Sequence, residues 1–78
     1  MIDFAEAVQL HRTGQWADAE AAYRTLLTAT PDGAVLHQNL ARLLLENGRF
    51  PEAMDSVEAA LKLDPQSTEL AKIGRAHV

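Results

Sequence analysis

The sequence predicts an all-α fold built from one two-helix unit that occurs twice. Three observations carry that prediction. The chain repeats itself at an offset of 34 residues: Gly14, Trp16, Ala19, Leu27 and Pro31 reappear as Gly48, Phe50, Ala53, Leu61 and Pro65. Apolar residues recur every three or four positions, without the strict alternation of a strand. The apolar residues, 47% of the 78, are mostly alanine and leucine, and only 5% of the chain is aromatic. That mixture suits close-packed helices better than a sheet.

The first helix is expected over 3–13, where Ala7 and Leu10 hold the places that Ala41 and Leu44 hold one unit later. Gly14 closes it, because a helix often ends on a left-handed residue and glycine adopts that conformation most readily. The second runs over 16–29 on a stripe of Ala19, Ala22, Tyr23, Leu26 and Leu27, and Pro31 stops it. The third covers 34–47 on Leu36, Leu40, Leu43, Leu44 and Leu45 and ends at Gly48. The fourth, 51–63, opens with Pro51 in its first turn, where a missing N–H costs nothing. Its stripe is Ala53, Val57, Ala60 and Leu61, and Pro65 closes it. A fifth helix is expected from 67 onward. The alanines let two helix backbones approach closely, so a larger residue at Ala19 or Ala53 overpacks the contact.

These residues resemble the tetratricopeptide repeat, a pair of antiparallel helices of period 34. His37-x2-Leu40-Ala41-x2-Leu44 falls on the W-x2-L-G-x2-Y spacing of that family. Gly48, Phe50, Ala53-x3-Val57 and Pro65 follow in step. The first unit keeps Ala7, Leu10, Gly14, Trp16, Ala19-x3-Tyr23 and Pro31. It departs at Asp3 and Glu6, where the family prefers apolar residues, which suggests an N-terminal face turned to water. The resemblance implies a short right-handed α-solenoid of about five helices. One unit would occupy 1–33 and a second 34–67, with 68–72 starting a third unit or a capping helix.

The same resemblance implies a protein-binding module, with the first helix of each unit lining a groove for an extended peptide or a partner helix. Carried over residue by residue, the groove would use Phe4, Val8, His11 and Arg12 from the first unit. From the second it would use Gln38, Asn39, Arg42, Leu45 and Glu46. Asn39 would hold a peptide backbone and Arg42 a carboxylate. A clamp for the terminal carboxylate of chaperones, as in some members of the family, is not expected. Asn39 fits it, but Phe4 and Val8 stand where lysine and asparagine belong, and Glu69 and Ile73 stand where basic residues belong.

Beyond Ala71 the repeat breaks. Gly74 and Arg75 occupy the places of Leu40 and Ala41, and glycine weakens a helix interior. Residues 73–78, Ile-Gly-Arg-Ala-His-Val, are what ATC-GGA-AGA-GCA-CAC-GTC encodes. That matches a common sequencing-library adapter, whose next triplet is a stop. We read these residues as a non-native tail, and the chain as the front of a longer bacterial protein. The rival reading is a genuine frayed end with a glycine cap.

Composition excludes several classes. Eleven acids and seven bases give a net charge of −4 with no basic stripe, which argues against a nucleic-acid reader. There is no cysteine, so disulfides and thiolate metal sites are excluded. The longest apolar runs, such as Leu43 to Leu45, are far too short to cross a bilayer, and the start lacks a basic signal region. The expected location is the cytoplasm.

His11, His37 and His77 share no metal-ligand spacing, and the glycines are isolated, so no phosphate-cradling loop is present. His37 is expected to pack, and Trp16 and Phe50 to wedge between paired helices. Asp18, Glu20, Glu52, Asp55 and Glu58 are expected to form a solvated outer face. No catalytic, cofactor or metal site is expected.

Two other readings stand beside the interaction module. The first unit resembles repeats that precede catalytic domains in bacterial sulfotransferases and glycosyltransferases, so the repeats would position the substrate of a longer enzyme. Alternatively, the C-terminal face would pair between chains.

Overall fold

The computed structural model describes residues 2–64. They form four helices: α1 Phe4–Arg12, α2 Trp16–Ala29, α3 Ala34–Glu46 and α4 Phe50–Leu63. The described residues contain no strand. Each helix packs on the next, most extensively α3 on α4, then α1 on α2, then α2 on α3. Short turns between such neighbours make them antiparallel. The result is two helix-turn-helix units stacked in sequence, as the repeat predicts. The expected fifth helix, Pro65, the third unit and the tail at 73–78 lie outside the described residues.

The ends of the helices show why the boundaries fall where they do. Asp3, which departs from the family pattern, caps α1: its Oδ1 accepts from the Glu6 N–H at 2.8 Å. Gly14 and Gly48 take φ of +80° and +74°. Around each, two backbone bonds tie off the last turn. Gly14 N–H donates to His11 O at 3.2 Å and Gln15 N–H to Leu10 O at 2.9 Å. Gly48 N–H donates to Leu45 O at 3.1 Å and Arg49 N–H to Leu44 O at 2.9 Å. Both turns are Schellman motifs. Pro51 falls in the first turn of α4. Thr30, at φ −134°, leaves helical space just before Pro31, as a residue preceding proline should.

The core follows the stripes read from the sequence. Ala7, Ala19, Ala22, Tyr23, Leu36, Leu40, Leu43, Leu44 and Ala53 form one buried cluster, and Ala41, Val57 and Ala60 a second. Leu10, Leu26, Leu27 and Leu61 pack against them, half-buried, and Leu45 and Met54 touch both. Ala19 and Ala53 are fully buried, in keeping with close helix approach.

Two expectations fail. Trp16 and Phe50 are not core wedges: they stay 46% and 44% exposed. Each is the first residue of its helix, and the alanine three positions on is what enters the contact. Nor are Glu20 and Glu52 free members of a solvated face. Arg49, just before α4, pairs with Glu20 of α2 through both guanidinium nitrogens, Nη2 to Oε2 at 3.2 Å, and with Glu52 through Nε to Oε1 at 3.1 Å. Arg24 Nε adds a 3.0 Å bond to Glu20. The bond from Arg49, opposed in part by desolvation, holds the Glu20 carboxyl below the usual range, with Arg24 adding to the effect. Arg49 likewise lowers Glu52, and its own proton is held more firmly by Glu52 and then Glu20. Asp18, Asp55 and Glu58 are exposed, as expected.

Candidate partner-binding cleft

Helices α1 and α3 enclose a cleft of about 570 Å³. From α1 it is lined by Phe4, Val8, His11 and Arg12, which share a face by their three- and four-residue spacing. From α3 it is lined by Asn39, Arg42 and Glu46. The opposite faces of these helices carry Ala7, Leu40, Leu43 and Leu44 into the core, which fixes the cleft residues outward.

Seven of the nine groove residues expected from the resemblance therefore meet. Gln38 and Leu45 are not among the residues that line the cleft. Gln38 is half-buried, one position round the helix from Asn39. Leu45 is half-buried against both core clusters. Three lining residues were missed: Gly14, Trp16 and Tyr23. Gly14 and Trp16 follow the last turn of α1 directly, a proximity the sequence already implied. Tyr23 belongs to α2, and no pattern in α1 or α3 points to it.

His11 organises the middle of the cleft. Its Nε2 lies 2.6 Å from Glu46 Oε1, and its Nδ1 lies 3.3 Å from the Tyr23 hydroxyl. A carboxylate only accepts, so the neutral ring must carry its proton on Nε2 and donate it to Glu46. Nδ1 then accepts from Tyr23 O–H. The two rings meet edge to face, with centroids 6.0 Å apart at 84°. Three helices are thus joined through one imidazole. Burial pushes the Tyr23 phenol up; the Glu46 charge adds to this and Arg42 opposes it.

The cleft is polar in its middle and apolar at its ends. Phe4, at 41% exposure, stands at one end and Trp16 at the other. Arg12 is exposed and makes no ion pair among the described residues. The described residues hold no group of three or more histidines and carboxylates able to bind a metal, and no helix long and apolar enough to cross a membrane. His37 lies away from this cleft, half-buried, with Nε2 3.2 Å from the Pro31 carbonyl.

Comparison with known proteins agrees with the architecture. A protein O-mannosyl-transferase from Caenorhabditis elegans is 35% identical over 54 residues, which is 69% of this chain but 8% of that protein. No solved structure matches. The tetratricopeptide repeat family matches residues 10–76. With its two stacked helix-turn-helix units, its paired left-handed glycines and its small-residue contacts in register, the chain belongs to the tetratricopeptide repeat family.

Proposed function

We propose that the chain is a protein-interaction module that holds an extended peptide or a partner helix in the cleft between α1 and α3. Repeats of this family generally serve protein–protein interaction. The observation that carries the proposal is the convergence of Phe4, Val8, His11, Arg12, Asn39, Arg42 and Glu46 on one concavity. An apolar rim with a few convergent polar groups is what a binding cleft requires. The chain acts in this reading as a scaffold without catalysis of its own, in the cytoplasm. The experiment is selection from a random peptide display library. Wild-type protein should retain a defined set of sequences, and Val8→Glu, which places a charge in the cleft, should lose them while keeping its helical circular dichroism. Equal retention by both proteins would remove the cleft from the function.

One observation favours a second reading. The relative matched here is named as a transferase, and the chain corresponds to 8% of its length. On that reading the repeats sit beside a catalytic domain of a longer protein and position its substrate. Reading the source locus past the codon for Lys72 tests it: a catalytic domain in frame supports it, and an immediate stop opposes it.

A further inference from the structure

The charge in the cleft is opposite to that of the chain. The whole sequence carries −4. The cleft presents Arg12 and Arg42 against one carboxylate, Glu46, and that carboxylate already accepts from His11 at 2.6 Å. Arg12 has no ion-pair partner among the described residues. An unpaired guanidinium over a partly desolvated cleft favours a carboxylate, which it can hold through two parallel N–H donors.

The apolar groups say what surrounds that carboxylate. Phe4 lies eight positions before Arg12 on α1, about 12 Å at ~1.5 Å per residue. An extended chain covers that distance in roughly four residues. Trp16 stands on the far side of Arg12, past the Gly14 turn. A ligand that ended at Arg12 with its terminal carboxylate would leave Trp16 uncovered. Asn39 offers a donor and an acceptor, which an extended backbone can use and a helix, its own bonds satisfied, cannot.

Resting on the reading of this cleft as a partner groove, we infer that its occupant is an extended peptide segment with an internal acidic side chain held by Arg12 and apolar side chains on either side, one against Phe4 and one against Trp16. The acid sits about four residues from the first apolar anchor and next to the second.

Trp16 is the only tryptophan, so its fluorescence reports directly on the cleft. The probe is an end-blocked peptide of leucine, three alanines, glutamate and leucine, titrated into the full chain. Versions with glutamine or lysine for the glutamate, and one ending in a free carboxylate at that position, are compared. The glutamate peptide should bind at least about tenfold tighter than the other three, and Arg12→Gln should abolish the preference at unchanged circular dichroism. A lysine or glutamine peptide that binds as tightly overturns the inference and leaves the groove standing. Tightest binding by the free-carboxylate peptide also overturns it, in favour of terminal recognition. If no peptide perturbs either Trp16 or the amide spectra of α1 and α3, the groove reading itself fails along with the inference.

Discussion

Arg49 and Glu20, 29 residues apart, form a two-point ion pair that ties the entrance of α4 to the middle of α2. Glu52 and Arg24 complete the network, with Arg24 Nη2 3.7 Å from Glu52 Oε2. The two repeats are thus joined on their outer side by charge as well as by the core.

That network makes stability sensitive to acid. Glu20 and Glu52 are held below the ordinary glutamate value of 4.5 by Arg49. A depressed carboxyl stabilises the fold above its unfolded value, and the contribution disappears as pH falls below about 4.5 through the folded values. The thermal midpoint should therefore drop across that window in low salt. Glu20→Gln should flatten the drop, and high salt should shrink it, because these groups are largely exposed. An identical acid profile in wild type and Glu20→Gln would show the pair to contribute nothing.

The opposite limb belongs to Tyr23. Its phenol is raised, chiefly by burial, so its contribution is whole below the ordinary value of 10.0 and is lost as pH rises through the folded value. It is the only tyrosine, so an ultraviolet absorbance titration reads it alone and should show ionisation later than in the unfolded chain. Tyr23→Phe leaves His11 Nδ1 without its donor and should cost about 1 kcal/mol in denaturant unfolding.

Ala19 and Ala53 test the closeness of the helices. Each is fully buried, and leucine at either position should cost ~1–3 kcal/mol by overpacking. Ala17→Leu, on the exposed side of α2, should be close to neutral. Equal costs at positions 17 and 19 would mean that burial is not what selects the small residue.

Gly48 isolates a conformational effect. Its φ is +74°, and an added Cβ would meet nothing within 4 Å. Gly48→Ala should therefore cost about 1 kcal/mol from backbone strain alone. Asparagine, which tolerates the left-handed region, should cost less. Chemical denaturation of the three proteins gives the order.

Most of the fold was legible in the sequence because it is local and repeated. Gly14 and Gly48, Pro31, Pro51 and the alanine stripes each act within a few residues, and the 34-residue offset shows each of them twice. What was not legible depends on how helices cross. Nothing in the spacing of Glu20 says that Arg49 will reach it, or that Tyr23 will meet His11. The matched aromatic positions misled for a related reason: Trp16 and Phe50 recur as core residues do, yet each begins a helix and remains exposed. Asp3 read as a departure from the family pattern, and its role as a cap became visible only with its 2.8 Å bond.

The most direct test of the account is amide chemical-shift mapping of the full chain with a bound peptide from the display selection. The account predicts perturbations concentrated at Val8, His11, Asn39 and Glu46, with the outer residues Arg24, Asp55 and Glu58 unmoved. Perturbations confined to those outer residues of α2 and α4, with α1 and α3 unchanged, would contradict it.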